Sequence, residues 1–294
     1  MTIRGIFKFF KKKIPKWALV LMGGGSRGLA HIGILDVLHK NGLTPDIIVG
    51  TSMGAVIGGL FASGISSTKL KEIASDFDLN NFIERPNIPI LSKKTQISIL
   101  DFLMLESYKN KLLKKLGLNR EDKMEAYLKS LIGEISIEEL PVKFVCNAVD
   151  LISGREIIFE RGKLYKALRA TMSLPIIFEP TSIDDMLLLD GGVLDNAPVG
   201  IAKNLNAHKV ILVDVHRDLK EVSKEEIKNT FQLLHRMVET MVAYKTEEKI
   251  EKADLVIKVD MDVDALDYSE PLRIVEAGEN IATENIDKIK KLVS

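Results

Sequence analysis

The chain is poor in cysteine and tryptophan, with one of each, and it carries no net charge. One cysteine cannot form an internal disulfide, so packing must hold the fold, and a reducing cytoplasmic compartment is the expected setting. Cys146 lies inside the apolar run Val142 to Val149, a place for a small core residue rather than a nucleophile. Forty-one basic residues balance 41 acidic ones, which argues against a general nucleic-acid binder. No apolar run reaches the roughly 20 residues of a membrane-spanning helix. Repeats, low-complexity tracts and linkers are absent as well. The expectation is one domain over residues 17–294, with 46% apolar residues to build its core.

Residues 1–16 stand apart. They hold Arg4, Lys8, Lys11, Lys12, Lys13 and Lys16 and no acid, interleaved with Ile3, Ile6, Phe7, Phe9, Phe10 and Ile14. A signal peptide is disfavoured, because the apolar run after Lys16 is short and leads straight into glycines. Two readings remain: a basic amphipathic segment on the anionic inner face of a membrane, or a solvated tail packed loosely on the domain.

Beyond residue 16 the periodicity alternates between strand and helix. Trp17 to Met22 reads as a buried strand, Gly23 to Gly28 as a loop, and Leu29 to Lys40 as a helix capped by Gly42. Asp46 to Val49 reads as a second strand and Ala55 to Ser63 as helix-like. A strand–helix–strand unit implies parallel strands. Between Ile65 and Leu140 the composition shifts to Lys, Glu, Leu and Ile. Short helices are predicted there, over Lys69 to Phe77 and Arg120 to Ile132. The apolar run Ile97 to Leu105 suits a core helix or a lipid-facing lid. Further strands are predicted at Val142 to Val149, Glu156 to Phe159, Met186 to Leu189, His208 to Val215 and Leu255 to Val259. Helices are predicted over Leu164 to Ala170, from the capping-box pair Ser223 and Glu226 onward, and over Arg273 to Val293. The last but one of these carries Ile227, Phe231, Leu234, Val238 and Met241 on one face. The predicted class is α/β, three-layer α/β/α, with a mainly parallel central sheet.

Three motifs fall at strand ends. Gly50-Thr51-Ser52-Met53-Gly54 joins a strand to a helix through a turn with a serine between glycines, the geometry of a nucleophile elbow. Gly23-Gly24-Gly25-Ser26-Arg27-Gly28 presents uncovered N–H groups at a helix start, where negative charge is favoured. It also matches a dinucleotide-binding fingerprint. That reading needs an acid at the end of the second strand, and Val49-Gly50-Thr51-Ser52 has none. Asp190-Gly191-Gly192 ends an apolar strand with a carboxylate able to serve as a base. An ordinary turn-forming aspartate is the competing role. Of the five histidines, only His216, after the strand His208 to Val215, suits a Ser52–Asp190–His216 triad. Packing or solvent contact accounts for His31 and His39.

Taken in order, G-G-G-S-R-G, G-T-S-M-G and D-G-G resemble the patatin-like phospholipase family, as do Ala170-Thr171-Met172-Ser173-Leu174-Pro175 and Asn196-Ala197-Pro198. The likeness runs from about Trp17 to Val215 with a divergent middle. It implies a Ser–Asp dyad, with Ser52 as nucleophile and Asp190 as general base. It implies an oxyanion loop at Gly24, Gly25, Arg27 and Gly28, with backbone amides as donors and Arg27 bracing the loop. It implies fatty acyl ester substrates and neither metal nor other cofactor. An acyltransferase sharing the acyl-enzyme, or a non-catalytic nucleotide- or lipid-binding protein, are the competing functions.

Overall fold

A computed structural model describes residues 17–83, 123–175, 177–217, 219, 221–227 and 230–294. The basic segment 1–16 and the apolar run Ile97 to Leu105 lie outside the described residues, as does the start of the helix predicted from Arg120. Among the described residues, no helix is long and apolar enough to cross a membrane.

A central eight-stranded sheet is flanked by helices, as predicted. Its strands are β1 (Trp17–Leu21), β2 (Ile47–Gly50), β3 (Lys143–Asp150), β4 (Arg155–Phe159), β5 (Thr181–Ile183), β6 (Met186–Asp190), β7 (Lys209–Asp214) and β8 (Leu255–Lys258). The hydrogen-bonded path runs β5-β6-β3-β2-β1-β7-β8, and β4 also pairs with β3. β1, β2, β3, β7 and β8 are mutually parallel. β4, β5 and β6 run antiparallel to their partners. All five residues of β1 and all four of β2 are buried. A strand covered on both faces needs a continuous apolar run, and W-A-L-V-L supplies one.

The helices are α1 (Ala30–Lys40), α2 (Met53–Ala62), α3 (Ser67–Asp76), α4 (Lys123–Ile132), α5 (Leu164–Thr171), α6 (Val199–Asn204), α7 (Thr230–Ile250) and α8 (Pro271–Val293). Local rules explain their ends. Ser66 caps α3 by accepting the N–H of Lys69 at 3.2 Å. After α1 the backbone turns at Gly42 with φ +70°. α8 packs along α1, and Lys71 of α3 bridges Asp36 of α1 at 2.7 Å and Glu279 of α8.

The structure departs from the sequence reading in four places. The glycine loop tightens into a 3₁₀ turn over Gly25–Leu29, so α1 starts at Ala30. α2 starts at Met53, directly after Ser52. β5 and α6 were not predicted; three and six residues are too few for periodicity to register. Beyond Ser223 the chain forms a 3₁₀ turn at Lys224–Glu226, and the α-helix begins only at Thr230. Ile227 and Met241, placed on one face by their spacing, are both exposed.

Pairing along β3 positions the functional motifs. Cys146 is shared by Gly50 and Phe159, and Ala148 by Asp190 and Ile157. β2 and β6 therefore follow one another along the edge of β3 opposite β4. They run in opposite directions, so their C-terminal ends face each other. Their last paired positions on β3 lie two residues apart, about 7 Å at the usual strand rise. Into that gap project the residues after Gly50 and at Asp190.

Candidate active site

Ser52 is the first residue beyond Thr51 at the end of β2. Its backbone has φ 52° and ψ −126°, a region costing a non-glycine residue on the order of 1–3 kcal/mol. The chain must reverse there within one residue to enter α2. The flanking glycines make the reversal sterically allowed: a Cβ on Gly50 would lie 2.5 Å from the Cα of Ala55, and one on Gly54 2.5 Å from the Met22 carbonyl oxygen.

Hydrogen bonds hold this strained turn from several sides. The N–H of Ser52 donates to Thr171 Oγ1 at 3.0 Å, and the N–H of Val56 donates to the Ser52 carbonyl at 3.0 Å. Thr51 Oγ1 lies 2.7 Å from Asn147 Oδ1 and 3.1 Å from the Asp195 carbonyl. Asn147 Nδ2 in turn donates to the Asp195 carbonyl at 2.9 Å and to Glu156 at 2.8 Å. Burial, opposed by the bond from Asn147, raises the Glu156 carboxyl above the ordinary glutamate range. Lys249 of α7 binds Asp195 Oδ1 at 2.9 Å, tying α7 to the loop after β6.

Across the gap stands Asp190, only 3% exposed. Ser52 Oγ donates to Asp190 Oδ2 at 2.6 Å, and the N–H of Gly192 donates to Oδ1 at 2.8 Å. Burial pushes the Asp190 carboxyl up to about 6, against the two hydrogen bonds that favour its charged form. The contact with Ser52 is direct, with no imidazole between the two. His216 follows β7, and its N–H donates to Asp214 at 2.7 Å. The short segment Ala170 to Pro175 serves both partners: Thr171 holds the Ser52 N–H, and the Ser173 carbonyl accepts the N–H of Asp190 at 3.0 Å. The buried Arg169 fixes that segment through Ser173 Oγ at 2.7 Å and the Glu179 carbonyl at 3.2 Å.

The glycine loop lies beside this pair. Among the described residues, the N–H groups of Gly23, Gly24 and Gly25 donate to no protein group, whereas that of Ser26 donates to the Ala265 carbonyl at 2.8 Å. Free donors thus cluster at Gly23 to Gly25, of which Gly24 and Gly25 belong to the set Gly24, Gly25, Arg27 and Gly28 read from the sequence. Arg27 reaches back to the loop, with Nε donating to the Gly24 carbonyl at 3.3 Å. Burial pulls the Arg27 guanidinium below its ordinary value, and Asp264 and Asp214 counter this.

A small apolar cavity of about 50 Å³ lies against α2, the helix that starts directly after Ser52. Met53 and Val56 of α2, Leu70 of α3, Phe77, Leu128 of α4 and Met172 contribute to its walls. Among the described residues, no group of three or more acidic, histidine or cysteine side chains is arranged to hold a metal ion. Sequence reasoning missed Asn147, Thr171, Asp195 and Asn196 as parts of the site. Thr171 and Asn196 lie inside motifs that the sequence does display; Asn147, in the middle of an apolar strand, gives no signal.

Sheet and site together define an α/β protein with a serine–carboxylate pair seated at strand ends beside a glycine loop. The chain belongs to the patatin-like phospholipase family, whose model matches residues 19–203. An uncharacterized NTE family protein of Mycobacterium bovis is 32% identical over 230 residues, covering 78% of this chain and 57% of that protein. Lysophospholipase NTE1 of Candida albicans is 32% identical over 198 residues, covering 67% of this chain and 13% of that one. The chain thus spans little more than half of the mycobacterial relative and a small part of the yeast one. VipD from Legionella pneumophila shares the fold, with a TM-score of 0.53 at 13% identity over 94% of this chain and 67% of that one.

Proposed function

We propose that this chain is a serine acyl hydrolase that cleaves fatty acyl esters of phospholipids or lysophospholipids through a Ser52–Asp190 dyad. The observation that carries the reading is the 2.6 Å bond from Ser52 Oγ to Asp190 Oδ2, made on a strained elbow and beside unpaired backbone donors. In the first half-reaction Ser52 Oγ attacks the ester carbonyl carbon while its proton passes to Asp190. The carbonyl π pair moves onto oxygen, and the resulting oxyanion lies against the N–H groups of the glycine loop. Collapse breaks the bond to the alcohol, which leaves with the proton held by Asp190. In the second half-reaction Asp190 takes a proton from water, the hydroxide attacks the acyl-enzyme, and the fatty acid departs as Ser52 recovers its proton.

The apolar cavity supports an apolar acyl group, since Met53 and Val56 line it within one turn of the nucleophile; at about 50 Å³ it takes part of a long chain unless its side chains move. The lysophospholipase of Candida albicans, a relative over 198 residues, supports the substrate class. The test is release of fatty acid from a lysophospholipid by the purified chain, with a fluorophosphonate probe mapped to its site of attachment. Release together with labelling at Ser52 is expected; labelling elsewhere, or none, refutes the assignment.

Chain-length selectivity gives a second check. Val56→Trp fills the cavity from the α2 side and is expected to cut kcat/KM for long-chain esters by about tenfold or more, leaving short-chain esters within about threefold. Equal losses on both would place the acyl chain elsewhere. Overpacking costs typically about 1–3 kcal/mol of stability, so the comparison is made at a temperature where a melt shows the variant folded.

A further inference from the structure

Three consecutive carbonyls of the glycine loop are each held by a side chain from a different part of the fold. His31 of α1 is fully buried, and its Nε2 lies 2.8 Å from the Met22 carbonyl oxygen. Asn196 Nδ2 donates to the Gly23 carbonyl at 3.2 Å. Arg27 Nε donates to the Gly24 carbonyl at 3.3 Å. A peptide unit is planar and trans, so fixing a carbonyl fixes the N–H that points the opposite way on the next residue. Pinning the carbonyls of Met22, Gly23 and Gly24 therefore orients the N–H groups of Gly23, Gly24 and Gly25. Those are the three that donate to no protein group among the described residues.

The state of His31 supports this. Burial drives its pKa down to about 4, so the ring is neutral and carries one proton. To bond a carbonyl, that proton must sit on Nε2. Nδ1 is then a buried acceptor, and it has no partner among the described residues. An unpaired buried polar atom is costly, and an apolar side chain would fill the same space without that cost. The imidazole is explained by what its other nitrogen holds.

We infer that His31 and Asn196 are positioning residues that, with Arg27, lock the glycine loop with its N–H groups set for a developing oxyanion. The inference rests on the acyl hydrolase reading and extends it to residues outside the dyad. Three free peptide planes flanked by glycines would otherwise rotate, and a misplacement of about 1 Å can cost on the order of 100-fold in rate.

The test compares His31→Leu, His31→Gln and Asn196→Leu with the wild type on a soluble ester. A glutamine amide presents an N–H donor near the place of Nε2, whereas leucine presents none. His31→Leu and Asn196→Leu are expected to lower kcat by about 10- to 100-fold with KM within about twofold, and His31→Gln to recover most of the loss. A trifluoromethyl ketone, which takes the Ser52 oxygen onto its carbonyl carbon and becomes an oxyanion, is expected to bind the leucine variants more weakly in proportion to kcat. Affinity for a product fatty acid is expected to stay unchanged. Thermal melts show whether each variant is folded; should His31→Leu fail to fold, His31→Gln and Asn196→Leu decide the question. Folded variants with unchanged kcat, or parallel losses of ketone and fatty-acid affinity, overturn the positioning role alone. A wild type that neither hydrolyses esters nor labels at Ser52 overturns the hydrolase reading, and this inference with it.

Discussion

Ser52→Ala is expected to lower ester hydrolysis by about 10⁴-fold or more and to abolish fluorophosphonate labelling, while the chain stays folded. The reason is chemical rather than structural. Apart from the bond to Asp190, the bonds that hold the elbow use backbone groups or the side chains of Thr51, Thr171 and Asn147. Alanine keeps the Ser52 N–H bond to Thr171 and the carbonyl bond from Val56. What it removes is the oxygen proposed to attack the ester and the donor facing Asp190 Oδ2. The glycine loop is untouched, so residual hydrolysis measures what oxyanion stabilisation and binding achieve without a covalent step. Turnover in purified Ser52→Ala at more than a few per cent of wild type would remove Ser52 as nucleophile. A collapse of the melt would instead mean that the hydroxyl supports the fold.

How much of this is legible in the sequence depends on the range of the interaction. Elements with a long or strongly apolar pattern are read within a few residues of where they stand: Trp17 to Met22 against β1, His208 to Val215 against β7, Arg273 to Val293 against α8. Their periodicity is local and their burial uniform. Boundaries set by tertiary contact are not readable. Ser52 itself starts the turn into α2 because Gly54 packs beneath the Met22 carbonyl, a contact across 32 positions of sequence that no local signal encodes. The antiparallel pairings of β4 and of β5 and β6, on opposite sides of β3, escape for the same reason, although β4 and β6 are located as strands.

The site divides along the same line. Ser52, Asp190 and the glycine loop stand out only together: each alone is an ordinary turn sequence, but three such motifs in order at strand ends are far more specific. That the two catalytic candidates meet is not visible in any spacing, since 138 residues separate them. Their meeting follows from β3, which pairs β2 along one half and β6 along the other, and so sets their ends opposite each other. Residues that act through others give almost no signal. Asn147 looks like a polar interruption in F-V-C-N-A-V, and His31 like a helix histidine to be explained by packing. Each is recognisable only once its partner is known, Asn147 by Thr51 and the Asp195 carbonyl, His31 by the Met22 carbonyl.

Asp190→Asn is expected to do two opposite things: remove the base, lowering hydrolysis by about 10²- to 10⁴-fold, and stabilise the fold above about pH 6. The sign follows from burial. Asp190 titrates near 6 in the folded chain against an ordinary 3.8. Between those values the folded state holds the proton more tightly than the unfolded state. Stability contributed by this group is therefore fully present below the ordinary value and is lost as pH rises through the folded one. The full loss is on the order of 3 kcal/mol, since each tenfold difference in proton affinity between the two states corresponds to about 1.4 kcal/mol. Asparagine carries no charge at either extreme and can still accept the Gly192 N–H. The variant's melting temperature is thus expected to exceed that of the wild type near about pH 8 by several degrees, and to match it near about pH 4. Over the same range wild-type kcat/KM is expected to rise through a pH of about 6 and level off, as the base becomes ionised, while the residual rate of the variant shows no such rise. A melting gain that is equal at both pH values would mean the carboxylate is not the source. Hydrolysis that survives Asp190→Asn with the same rise through a pH of about 6 would assign the base to another residue. Loss of rate and gain of stability together would show that the charge kept in this buried gap, at the expense of the fold, is there for the proton of Ser52.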